Sequence, residues 1–165
     1  MLTETRSLVC VIDDDAMVRE SICLLLDMLG LQCTAFADCR SFLDSPTLPH
    51  CECLILDVRM PGISGTVLQE ILKDKAPHLP IIFISGHGDI SLAVEAMRKG
   101  AVDFMQKPFN EQVLLERVEK AIALCQERKL EAHKQLNVDT RLADLTPPER
   151  EVLDGIPAGL PNKRG

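Results

Sequence analysis

The chain has no tryptophan, no tyrosine and only five phenylalanines in 165 residues. That excludes an aromatic platform for stacking single-stranded nucleic acid or the bases of RNA. Positive charge is also short: 18 Lys and Arg stand against 25 Asp and Glu, a net charge of −7. A surface that binds nucleic acid by bulk charge needs the opposite sign, so any DNA contact requires a local basic element. No apolar run reaches the length of a membrane span. The first one, Leu8–Ile12, is too short for a signal peptide and runs straight into three aspartates. No glycine-rich loop follows it, which excludes a dinucleotide-binding turn. Internal repeats and low-complexity tracts are absent. The seven cysteines contain no Cys-x-x-Cys pair. An odd count without paired spacing points to reduced thiols and a cytoplasmic setting, with Cys10, Cys23 and Cys53 acting as small hydrophobes. Cys51 and Cys53 flank a single glutamate, but no partner at ligand spacing completes a metal site there.

What remains is a soluble, globular composition, 46% hydrophobic and 26% charged, long enough for one good core and a short appendage. Three runs, Leu8–Ile12, Cys53–Leu56 and Ile81–Ile84, are continuously apolar, as strands are when helices cover both faces of a parallel sheet. Cys33–Phe36 and Asp103–Gln106 are weaker strand candidates. Between them lie helical patterns. Val18, Ile22, Leu25, Leu26 and Leu29 share one face, and Gly30 supplies a stop. Leu114, Val118, Ala121, Ile122 and Cys125 repeat that spacing. Shorter helices fit Cys39–Asp44, Gly65–Lys75 and Ser91–Lys99. Strand and helix alternate five times, which predicts an α/β fold with one doubly wound parallel sheet.

Sites in such sheets lie beyond the carboxyl ends of the strands. The first run ends on Asp13, Asp14 and Asp15, the third on Asp57, the fourth on Ser85 and the fifth on Lys107 followed by Pro108. Any one acid there is an ordinary loop residue, and Asp15 is expected to cap the first helix. Taken together, the acids converge if the first and third strands are neighbours. At ~5 Å and an effective dielectric of ~20, each like-charged pair costs about 3 kcal/mol. Such a cluster takes up protons or a cation, and oxygen-only ligands at an open site suit Mg²⁺ (or Mn²⁺). Lys107 balances a phosphoryl charge, and Ser85 offers a hydroxyl to its oxygens.

The stretches VIDDDAMVRE, LILDVRMPGISG, IIFISGHGD and AVDFMQKPF resemble the motifs of the receiver domain of two-component response regulators, over about residues 7–126. The resemblance implies a (βα)5 fold with strand order 2-1-3-4-5. It implies that Asp57 accepts a phosphoryl group from a histidine kinase. Asp13 and Asp14 then hold Mg²⁺ with Asp57 and the backbone carbonyl of Arg59, whose charge is of less interest. Lys107 contacts the phosphoryl group, Ser85 and Phe104 are the switch pair, and the Lys107–Pro108 peptide is a cis candidate. Homodimerisation on phosphorylation is the family expectation, with no membrane involved.

After Cys125 the chain turns charged, and it is expected to continue the last helix and then become a linker. A boundary is placed near Leu136 to Arg141. LTPPEREVL starts a helix, with Thr146 as N-cap, Pro147 at N1 and Glu149 closing a capping box. LTPPEREVLDGIPAGLPNK resembles the opening of a LuxR-type helix-turn-helix, the DNA-binding output of NarL/FixJ-type regulators. Pro148, Pro157 and Pro161 depart from that pattern, and the recognition helix is missing. The expected organisation is a receiver at 1–126, a helical linker at 127–141 and an incomplete helix-turn-helix at 142–165. DNA is thus expected as a partner only for a chain with the complete module.

Two other function classes compete. One is a single-domain signalling module that acts through protein contacts alone. The other is a Mg²⁺-dependent phosphatase with an aspartate nucleophile at the first strand end, which leaves Asp57 and its Pro-Gly loop unexplained. His87, just past the fourth strand, is close enough to affect the site, whereas His50, His78 and His133 look like surface positions.

Overall fold

The computed structural model describes residues 6–86 and 89–144, the side chains of 137–144 excepted. The elements are β1 (Leu8–Ile12), α1 (Ala16–Met28), β2 (Gln32–Phe36), α2 (Cys39–Leu43), a 3-10 turn at Leu48–His50, β3 (Cys51–Asp57), α3 (Gly65–Lys75), β4 (Ile81–Ser85), α4 (Ile90–Arg98), β5 (Asp103–Gln106) and α5 (Glu111–Asp144). All four strand pairings are parallel, and the order is 2-1-3-4-5. The expected doubly wound sheet is therefore present.

The two faces of the sheet follow the period-2 alternation of its strands. Cys10, Ile12, Leu54, Leu56 and Phe83 point one way and pack with Phe42, Leu68, Leu72 and Ala96 of α2, α3 and α4. Val9, Val11, Cys53, Ile55, Ile82 and Ile84 point the other way, against Ile22 and Leu26 of α1 and Leu114 and Val118 of α5. Continuous apolar strands are thus required, because both faces are buried. β3 starts two residues earlier than its apolar run. Its Glu52 sits half-buried at the edge of that core.

One expectation needs correction. Cys23 and Cys33 are not free thiols: they form a disulfide between α1 and β2, with Cα atoms 5.4 Å apart. The chain reverses through Gly30, so residues ten apart in sequence meet across the turn, and no spacing motif marks them. Cys10, Cys39, Cys51, Cys53 and Cys125 take part in no disulfide and are buried. The last helix continues past its apolar pattern, as expected of the charged stretch after Cys125, and ends at Asp144. Residues 129–136 are all exposed, so that stretch is helical without a buried stripe. Arg, Glu, Lys, Gln and Leu favour helix by propensity alone. The chain divides into two units after Gln126. Residues 145–165, with the expected Thr146, Pro147 and Glu149 cap, lie outside the described residues, as does His87. His50 and His133 are exposed and His78 is half-buried. Among the described residues no helix is long and apolar enough to cross a membrane.

Candidate functional site

Parallel strands deliver their carboxyl ends to one edge of the sheet, and the residues singled out in the sequence meet there. Asp13 follows β1, Asp57 ends β3, Ser85 ends β4 and Lys107 follows β5. Lys107 Nζ donates to Asp13 Oδ2 at 2.8 Å and to Asp57 Oδ2 at 3.3 Å. One cation reaches two acids from two other strands, 94 and 50 residues away in sequence. The Lys107–Pro108 peptide is cis. Asp13 is buried, and its Oδ1 accepts the backbone N–H of Asp15 at 2.9 Å. Asp15 accepts from Met17 N at 2.9 Å, the expected cap on α1. Asp14 is exposed.

Asp57 is held by the loop that follows it. Its Oδ1 accepts the backbone N–H of Arg59 at 3.1 Å. Gly62 turns the chain with φ +77°, a conformation that glycine adopts without steric cost. Gly65 then opens α3 hard against β3. A Cβ there would stand 2.7 Å from the Asp57 carbonyl oxygen. Gly62 thus serves the turn after Asp57, and Gly65 the close packing of α3 on β3.

Three carboxylates share this corner. One oxygen from each of Asp13, Asp14 and Asp57 lies within 4.8 Å of the others. Hard oxygen donors, two buried and one open to solvent, suit a small divalent cation that keeps part of its water shell. A single lysine leaves such a set short of positive charge. Burial pushes the Asp57 carboxyl above its ordinary range. The Arg59 N–H opposes the rise, the Asp13 charge adds to it and Lys107 again opposes it. For Lys107 burial works against the charged form, but the Asp13 hydrogen bond and both aspartate charges outweigh it and the ammonium is raised.

A second group of side chains lies beside the first and was not foreseen. Asp89, just before α4, is 4% exposed. Its Oδ2 accepts the Ser85 hydroxyl, and its Oδ1 accepts Arg59 Nε at 2.5 Å. The Ser85 hydrogen bond, then Arg59, holds its carboxyl below the ordinary range. The Arg59 side chain thus carries a charged contact of its own, where the sequence drew attention mainly to its carbonyl. Asp89 sits in the third quoted motif, IIFISGHGD, but an aspartate before a helix reads as a cap. Phe104 is half-buried, paired in register with Phe83. It lines a cavity of about 320 Å³ with Asp89, Ile90, Ala93, Val94 and Gln106.

Known proteins resemble this chain over most of its length. The profile of the response regulator receiver domain matches residues 9–119. The transcriptional regulatory protein FixJ of Bradyrhizobium diazoefficiens is 44% identical over 160 residues, 96% of this chain and 78% of the relative. The response regulator protein TodT of Pseudomonas putida is 38% identical over 163 residues, 99% of this chain and 72% of TodT. Among solved structures, full-length FixJ from B. japonicum superposes with a TM-score of 0.69 at 42% identity, covering 98% of this chain and 79% of that one. The response regulator StyR gives 0.77 at 40%, covering 86% and 72%.

Proposed function

The chain belongs to the response regulator receiver family, and on that premise we propose that Asp57 is the phosphoacceptor of a phosphorylation-controlled transcriptional regulator. Response regulators of this kind are signalling proteins rather than classical enzymes. They are paired with histidine kinases, and they often dimerise. The observation that carries the residue assignment is the meeting of Asp13, Asp57 and Lys107 from three strand ends.

Phosphoryl transfer asks a protein mainly for position and charge balance. The backbone N–H of Arg59 fixes one Asp57 oxygen, and the other faces Lys107. An Asp57 oxygen forms the new O–P bond as the N–P bond of the kinase phosphohistidine breaks, and the histidine nitrogen keeps that electron pair. Lys107 then has a phosphoryl oxygen to pair with in place of the carboxylate. Asp13, Asp14, Asp57 and the Arg59 carbonyl would hold Mg²⁺ (or Mn²⁺). When bound, that ion neutralises charge on the phosphoryl oxygens. The chain takes part in its own dephosphorylation, since an acyl phosphate is open to water.

The new charge and its acceptor oxygens draw Ser85 toward Asp57. Phe104 turns inward into the vacated space, and the surface of α4, β5 and α5 changes shape. A homodimer formed on phosphorylation carries the signal in a cytoplasmic setting. Residues 1–126 act as the receiver and 127–141 as a helical linker. Residues 142–165 open a helix-turn-helix, and DNA is the partner of the complete module. Incubation with acetyl phosphate and Mg²⁺ tests the core of this reading. The chain should take up one phosphoryl group, and Asp57→Asn should take up none. Normal labelling of that variant overturns the assignment.

A further inference from the structure

We propose that Asp89 is a latch: it holds the Ser85 hydroxyl in the unphosphorylated state, and phosphorylation must win that hydroxyl away. The inference rests on Asp57 being the phosphoacceptor and on Ser85 serving its phosphoryl group.

A serine hydroxyl has one hydrogen to give. In this structure Ser85 Oγ lies in reach of two acceptors, the Gly86 carbonyl at 3.0 Å and Asp89 Oδ2. A carboxylate is the stronger acceptor, about twice as strong as a neutral one. Ser85 is fully buried, so water does not compete for it. A phosphoryl oxygen on Asp57 would be a third claimant. One proton cannot serve both Asp89 and the phosphoryl group, so the two bonds exclude each other.

Asp89 is also committed to this role at the expense of another. It occupies the N-cap position of α4, yet its side chain caps nothing. At α1, α2 and α3, Asp15, Asp38 and Ser64 have extended backbones and accept first-turn N–H groups. The Asp89 backbone departs from that conformation, with ψ at 31°. Its two oxygens face Ser85 and Arg59 instead.

Arg59 makes the latch releasable. A buried carboxylate left without partners is costly. When Ser85 leaves, the Arg59 guanidinium remains on the other oxygen. Arg59 stands two residues after Asp57, with its side chain 69% exposed, so it anchors Asp89 from the acceptor's own loop. The latch thus sets how much of the phosphoryl interaction is available to drive the switch. Asp89 is a positioning residue that acts through Ser85.

The test measures binding of beryllofluoride, a phosphoryl analogue, with Mg²⁺ to the full chain. Asp89→Asn keeps the shape and is as good a helix cap, but lacks the charge. It should bind the analogue about 3- to 10-fold tighter, from the loss of a charge-assisted bond in the free state. Asp89→Ser, also a good cap, should move the same way. With Ser85→Ala present, Asp89→Asn should change binding by less than about 2-fold, because no hydroxyl remains to release. Unchanged or weaker binding by both Asp89 variants overturns the latch while leaving Asp57 in place. A gain of equal size without Ser85 overturns it too, since Asp89 would then act by another route. A parent chain that binds no beryllofluoride overturns the latch together with the Asp57 assignment.

Discussion

Helices α1 and α4 begin at the same edge of the sheet, beside the same site, and are held very differently. α1 is tied at its start and again at mid-helix. Asp15 caps its first turn, and Arg19 donates to the Asp13 carbonyl at 2.7 Å. Cys23 bonds Cys33 on β2, while Ile22 and Leu26 are fully buried. α4 has no side-chain cap, and Ala96 is its one buried residue. Ile90 is 77% exposed, and Val94 and Met97 are also open. The difference shows where a signal from Asp57 can go. A helix whose cap and core contacts are slight costs little to move, and it is the one whose first turn adjoins Ser85 and Asp89.

The strongest way to break this comparison is through the cations. Lys107 serves the β1 and β3 acids, and Arg59 serves the acid before α4. Lys107→Ala should lower the rate of labelling by acetyl phosphate about 10²- to 10³-fold, the range for removing one preorganised donor from a charged transition state. Arg59→Gln should lower it far less, by under about tenfold, because its guanidinium faces Asp89 and not the acceptor. Equal losses would mean that the two clusters are one.

The next largest effect concerns the α1 tie. Cys23→Ser removes a crosslink with a sequence separation of 10 residues. It should cost about 2–3 kcal/mol in urea unfolding without reductant, by the loop-entropy estimate. With dithiothreitol present, variant and parent should unfold nearly alike. If they unfold alike in both conditions, the tie contributes nothing and α1 is held by packing and its cap alone.

A smaller effect separates the two acids at the helix starts. Asp15→Ala should cost about 1 kcal/mol, the usual loss of a cap. Asp89→Asn has no cap to lose, so its unfolding cost should come from the Ser85 and Arg59 bonds. Amide hydrogen exchange sharpens the point: Asp15→Ala should speed exchange in the first turn of α1, and Asp89→Asn should leave that of α4 nearly unchanged. A similar speeding of both would count against an uncapped α4.

Why Asp15 was legible in the sequence and Asp89 was not follows from how far along the chain their partners lie. Asp15 acts on an N–H two residues away, and local order predicts such a bond. Asp89 acts on Ser85 and on Arg59, the latter 30 residues away, and only the parallel sheet brings Arg59 near. The three central strands were legible because both faces are buried, which leaves unbroken apolar runs, whereas the partly exposed edge strands β2 and β5 read more weakly. The convergence of Asp13, Asp57 and Lys107 followed from topology, since parallel strands place their carboxyl ends together. The Cys23–Cys33 bond was missed because it depends on the geometry of a turn. The continuation of α5 past Cys125 was expected, although residues 129–136 are helical without an apolar face to mark them.

The least of these effects is electrostatic, and its sign can be worked out. Burial raises the Asp57 carboxyl in the ion-free fold, and the Asp13 charge adds to the rise. The folded state then binds a proton more tightly than the unfolded chain does. Between the ordinary aspartate range and the raised value, stability falls as pH rises, because only the unfolded chain has given up its proton freely. Above that window the folded protein carries a charge it holds at a cost. Asp57→Asn removes the charge, so in EDTA at neutral pH the variant should be more stable than the parent. The gap should close as pH drops below the window, where Asp57 is protonated in both states. Mg²⁺ at neutral pH should narrow it as well, since the ion favours the charged form. Urea unfolding of both proteins from pH 3 to 8, with and without Mg²⁺, checks all three. A gap that ignores both pH and Mg²⁺ would trace the stabilisation to packing around Asn and not to the charge of Asp57.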